Sequence, residues 1–231
     1  SAAPGEQDYT SVASLVSVTG DTSINMKSNY PTVVKKVNNK NADDVNIGDT
    51  VTYTLTSKVP DMTGYTSYVF NFKDTLSAGL TFKEITSVKV GETTITKVDA
   101  GQEANDTYTL TQDGQNITIT MNNFLASNAN KVGQEIKVTY TATLNKDAVT
   151  GFDPNTNKAT VEYSNKPGTD DKGESEPSKV DVHTFNFTIF KYYLKGETKT
   201  GLANAEFELY KANEAGDEAD TSAKINIVDE E

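Results

Sequence analysis

The chain contains no cysteine and no tryptophan, and its 231 residues include a single histidine, His183. Without cysteine there is no disulfide framework, no thiolate metal site and no cysteine nucleophile. One histidine cannot build a poly-histidine metal site, and any histidine-based triad would have to use His183. Basic residues are scarce too: 21 Lys and Arg stand against 33 Asp and Glu, a net charge of −12. That balance argues against nucleic acid as a partner. No run of about 18 apolar residues exists to read as a membrane-spanning helix. No signal peptide is visible either, although a mature secreted chain would have lost one. In excess is threonine, with 33 residues, a side chain that favours pleated, half-exposed strands. The length fits one or two domains of roughly 100–200 residues each.

Alternation with a period of two runs through most of the chain. VTYTLTSKV (51–59) puts Val51, Tyr53 and Leu55 on one face and threonines on the other. TYTLTQDGQNITITM (107–121) reads as a hairpin around Asp113-Gly114. EIKVTYTATL (135–144) alternates Ile136, Val138, Tyr140, Ala142 and Leu144, and KATVEYS (158–164) alternates Ala159, Val161 and Tyr163. Such runs without a long helical pattern predict an all-β sandwich. Residues 1–30, with a short apolar stretch from Val12 to Val18, read as a lead-in or the end of a preceding domain. Residues 165–182 are rich in Gly, Pro, Ser and charge, and read as a linker or a long exposed loop with a strand at its end. A second alternation starts at Phe185, Phe187 and Ile189 and resumes in LANAEFELYK (202–211), with Glu206 and Glu208 facing solvent. Residues 183–231 are too few for another sandwich of about 100 residues, so the second unit is expected to be incomplete. The acidic stretch after Asn213 is expected to be mobile.

The same period places charged residues where a core should be. Lys35 shares a face with Val33 and Val37. Asp74 shares one with Tyr68, Phe70, Phe72 and Leu76. Asn157 shares one with Ala159, Val161 and Tyr163, and Lys191 follows Phe185, Phe187 and Ile189. Isolated charges are rarely buried, because desolvation costs several kcal/mol or more. Three readings compete. Each residue could sit at a strand end with its head in water. Lys35 and Asp74 could form a buried salt bridge bonded to Asn157. Or burial neutralises the lysine to a nucleophilic amine and keeps the aspartate protonated. That amine could attack the Asn157 carboxamide and expel ammonia, with proximity supplying the rate.

At these residues the sequence resembles the shaft pilins of Gram-positive bacteria, which sortases assemble into covalent fimbriae. Residues 31–182 resemble the family's CnaA-like sandwich through PTVVKKV, GDTVTYTLTSKVP, FKDTLSAGLTF and, on the last strand, PNTNKATVEYSNKP. The resemblance assigns Lys35 and Asn157 to an intramolecular isopeptide bond and Asp74 to the acid that assists it. Residues 183–231 resemble the opening of a CnaB-like domain, with Lys191 as a second cross-linking lysine whose asparagine and assisting glutamate lie outside the chain. The LPXTG-type sorting signal with its membrane tail, a preceding domain and a Y-P-K motif are also missing; Asn29-Tyr30-Pro31-Thr32 has threonine at the lysine position. A truncated or proteolysed piece is therefore expected. The resemblance implies an extracellular, cell-wall fimbrial subunit with other pilin subunits as partners through sortase, without a cofactor or metal and without catalysis beyond its own cross-link.

Two other functions merit comparison. A surface adhesin or tip pilin of the same domains would bind host protein or glycan through aromatics such as Tyr65, Tyr192 and Tyr193. An enzyme would need converging carboxylates, for which Asp43/Asp44, Asp170/Asp171 and Glu84/Glu92 are available, yet these sit in acidic clusters that read as solvated surface. The oxygens of DPNTN (153–157) lack EF-hand spacing for calcium.

Overall fold

The computed structural model describes residues 30–225 apart from Thr188 and Ala205. The lead-in over residues 1–29, with its Val12–Val18 stretch, lies outside the described residues. Two sheets face each other. The first has the order β1 (Val34–Val37), β3 (Thr50–Lys58), β10 (Glu135–Leu144), β5 (Leu80–Val90) and β6 (Thr93–Thr94). The second runs β2 (Ala42–Asp44), β13 (Ser178–His183), β11 (Asn155–Ser164), β4 (Phe70–Leu76), β9 (Asn116–Met121), β8 (Thr107–Asp113) and β7 (Thr96–Lys97), with β12 (Lys172–Glu174) also on β11.

Alternation sets these strands and their faces. On β3, Val51, Tyr53 and Leu55 are buried while the intervening threonines point outward. On β10, Ile136, Val138, Tyr140, Ala142 and Leu144 all enter the core. They meet Phe70, Phe72 and Leu76 of β4, Ile117 and Ile119 of β9, and Ala159, Val161 and Tyr163 of β11 in one cluster. Threonine therefore serves as the outer face, as its abundance predicted. The β8–β9 hairpin forms with Asp113 opposite Asn116. Its turn begins with Gly114 at φ 56°, a conformation that glycine adopts without a Cβ penalty.

Three departures from the expected strands have physical causes. First, Asn157 is not on the last strand, because β13 follows and lies between β11 and β2. The polar segment 165–177 folds back within the sandwich: β12 pairs with one half of β11 and β13 with the other. Val180 and Val182 fill the core from β13, and the Lys35 backbone N–H donates to Ser178 Oγ at 2.9 Å, tying β13 to β1. Second, the described residues of 185–191 carry no strand, and Phe185, Phe187 and Ile189 are exposed. Their alternation is real, but among the described residues no sheet covers it. Third, the acidic stretch expected to be mobile contributes β17 (Ala219–Ile225), which pairs with β16 (Leu209–Ala212). A Lys224–Glu208 ion pair of 2.6 Å spans that hairpin. The preceding hairpin joins β14 (Tyr192–Lys195) to β15 (Thr198–Gly201). A five-residue helix, α1 (Phe124–Asn128), stacks Phe124 on Phe70 with ring centroids 4.5 Å apart.

Candidate functional site

Lys35, Asp74 and Asn157 converge in the core. The strand-end reading fails for all three, since each is at most 1% exposed. Asp74 and Asn157 come from adjacent strands of one sheet. Ala159 pairs with Asp74 and Asn157 with Leu76, so the two polar side chains are diagonal neighbours on one face. Lys35 reaches them from β1 in the opposite sheet, and its Nζ donates to Asp74 Oδ2.

The centre of the cluster is a residue that parity placed in the core but that sequence reasoning did not single out. Tyr140 Oη accepts from Lys35 Nζ at 2.8 Å and from Asn157 Nδ2 at 2.6 Å, and donates to Asp74 Oδ2 at 2.9 Å. One donated and two accepted bonds exhaust a phenol's capacity. The amine and the carboxamide are thus only two hydrogen bonds apart. Tyr140 is held in place by its neighbours: Tyr53 stacks on it at 5.2 Å and Phe82 tilts against it at 5.8 Å. Two register shifts between β10 and β5 fall on either side of Tyr140, and bulges of this kind re-aim side chains next to sites. Lys35 Nζ lies 4.9 Å from the Tyr53 ring centroid and 5.0 Å from that of Tyr140. The inward parity of Tyr53 and Tyr140 could have flagged both, but a core-facing tyrosine is ordinary in a β-sandwich.

Desolvation governs the protons. Burial pushes the Lys35 ammonium down against the opposing attraction of Asp74, and pushes the Asp74 carboxyl up against that of Lys35. Both shifts favour a neutral amine beside a protonated acid, in line with the cost of burying an ion pair. Burial raises the Tyr140 hydroxyl well above its usual range. Asp74 Oδ1, Asn157 Oδ1 and Tyr53 Oη are buried without a hydrogen-bond partner, an uncommon concentration of unsatisfied atoms for one core layer.

The other candidates are dispersed. Lys191 precedes β14 with its side chain exposed, not in a core. Asn155 is spent on folding: its Nδ2 donates to the carbonyls of Val149 and Val182, and its Oδ1 accepts from the Val149 N–H. Asp43 pairs with Lys40 at 2.7 Å. Tyr65 packs edge-on against Tyr68, while Tyr192 and Tyr193 are exposed. Among the described residues no group of three or more His, Asp or Glu gathers to hold a metal.

Comparison with known proteins agrees with the fold. The family model described as "Gram-positive pilin backbone subunit 2, Cna-B-like domain" matches residues 47–167, just over half of the chain. Its Cna-B-like label falls on the stretch that the sequence likened to the CnaA type; both labels denote a β-sandwich. The trypsin-resistant surface T6 protein of Streptococcus pyogenes serotype M6 is 29% identical over 226 residues, covering 83% of this chain and 38% of that protein. Fimbrial subunit type 2 of Actinomyces naeslundii is 28% identical over 196 residues, covering 79% and 35% respectively. The chain thus spans little more than a third of these relatives' length. The 35 kDa C-terminal fragment of the major pilin GBS80 of Streptococcus agalactiae shares the fold, with a TM-score of 0.61 at 19% identity over 85% of this chain and 74% of that one. On the strength of the family match, the chain belongs to the Gram-positive pilin backbone subunits.

Proposed function

We propose that the chain is a rod segment of a cell-surface pilus, made rigid by an amide bond that forms between Lys35 and Asn157 with Asp74 as the assisting acid. The observation that carries this reading is the convergence of amine, carboxamide and acid on one buried hydroxyl. A neutral amine has two hydrogens and a lone pair. The two hydrogens of Lys35 go to Asp74 Oδ2 and Tyr140 Oη, which leaves the lone pair free for Asn157 Cγ. A protonated Asp74 can polarise the carboxamide oxygen, which otherwise has no partner. The Nζ–Cγ bond forms, the Cγ–Nδ2 bond breaks, and a proton passes from Nζ to Nδ2, which departs as ammonia. A fixed intramolecular pair gains an effective molarity of about 10⁵ M or more, so no external enzyme is required.

The bond would join β1 in one sheet to β11 in the other, a redox-indifferent substitute for the disulfides that a chain without cysteine cannot make. Its setting would be the outer surface of a Gram-positive cell, with other pilin subunits as partners through sortase. Lys191 would take part in a second bond only with residues beyond this chain. Tryptic digestion tests the cross-link. Mass spectrometry should find one branched peptide joining the Lys35 and Asn157 segments, uncut after Lys35. Two separate linear peptides, with cleavage after Lys35, would contradict the proposal.

A further inference from the structure

We propose that Tyr140 is a catalytic residue of this cross-linking reaction, relaying the proton from the attacking lysine to the departing carboxamide nitrogen. The inference rests on the amide-forming reading and adds to it a step that Asp74 does not cover. Amide formation needs two proton movements: Nζ must lose a proton as its lone pair bonds to Cγ, and Nδ2 must gain one before ammonia can leave. Asp74 is hydrogen-bonded to Lys35 and to Tyr140. Tyr140 Oη is bonded to both nitrogens, at 2.8 Å and 2.6 Å.

The relay is balanced. As Nζ attacks, one of its hydrogens passes along the existing Nζ–H···Oη bond. The hydrogen that Oη held toward Asp74 Oδ2 turns to Nδ2, which acquires a lone pair once Cγ becomes tetrahedral. The Cγ–Nδ2 electron pair leaves with ammonia, and Tyr140 ends as the neutral phenol it began as. Asp74 serves the carbonyl oxygen and recovers its own proton when the carbonyl re-forms. A phenol that resists ionisation suits this concerted exchange, since it never stands as a phenolate next to the acid. The stacked Tyr53 ring and the paired bulges of β5 keep the hydroxyl on both nitrogens.

Tyr108 is the control: a buried core tyrosine on β8, a strand that carries none of Lys35, Asp74 and Asn157. The full chain and its Tyr140→Phe and Tyr108→Phe variants would be made by cell-free synthesis, quenched in acid at intervals and weighed intact. Tyr108→Phe should lose ammonia at the parental rate, and Tyr140→Phe should do so about 10²-fold more slowly or worse. Should Tyr140→Phe fail to fold, difluorotyrosine at position 140 keeps the ring and hydroxyl but acidifies the phenol. The pH at which the rate falls should then move down, whereas the same residue at position 108 should leave the profile unchanged. Parental kinetics in Tyr140→Phe, or an unmoved profile with difluorotyrosine, overturns the relay while leaving the cross-link standing. A parent chain that never loses ammonia overturns both.

Discussion

Replacing Asp74 by alanine should leave the chain at its full sequence mass and lower its melting temperature by roughly 10–20 °C. The first effect follows from chemistry: without the acid nothing polarises the carboxamide, and Lys35 and Asn157 remain separate. The second follows from the unfolded state. A bond between residues 35 and 157 closes a loop of about 120 residues, and in the chain-entropy model that restriction is worth about 5 kcal/mol. For a sandwich of this size each kcal/mol moves the midpoint by about 2–4 °C. The loss of Asp74 also removes an accepting partner of Lys35 and Tyr140, which deepens the effect. The variant should still fold, because Phe70, Phe72, Tyr53 and the rest of the apolar cluster are untouched. Calorimetry alongside intact mass checks both halves. A variant that melts at the parental temperature would show that the cluster carries no covalent staple.

Under tension, the cross-linked chain should extend by only about 100 Å where the Asp74→Ala variant extends by about 500 Å, at roughly 3.4 Å per residue. The difference arises because the bond bypasses everything between residues 35 and 157. What remains to be drawn out lies after Asn157: the end of β11, then β12 and β13. Since β13 is outside the staple, it depends on its ladders with β11 and β2 and on the Lys35 N–H to Ser178 Oγ bond. It should therefore yield first and act as a short extensible latch at the end of a rigid unit. The absence of cysteine makes the experiment clean, because Thr32→Cys and Asn186→Cys handles are the sole attachment points. Equal extensions with and without Asp74 would rule out the bypass.

Much of this was legible in the residue order. Strict alternation identified β3, β10 and β11 and their inward faces, and it gave Lys35, Asp74 and Asn157 core-facing parity while leaving a strand-end position with the head in water open. Parity works here because a one-residue slip would turn a whole strand inside out. The relation between strands was not legible. Sequence period cannot reveal that β13 returns to pair outside β11, since a segment as polar as 165–177 resembles a linker whether it leaves the domain or folds back. Nor does period report bulges, and those in β5 break alternation beside the site. Tyr140 was visible as a core residue, but only three-dimensional convergence distinguishes a hydroxyl bonded to both nitrogens from that of an ordinary core tyrosine. The Phe185–Ile189 alternation shows the opposite error, because a strand pattern becomes a strand only where a sheet covers it.

The central claim is that Lys35 and Asn157 become one amide at the expense of ammonia. The intact mass of the purified chain under denaturing conditions tests it most directly. The account predicts a value below the sequence mass by about 17 Da, one ammonia expelled by acyl transfer to the lysine. A mass equal to that of the unmodified sequence would contradict it.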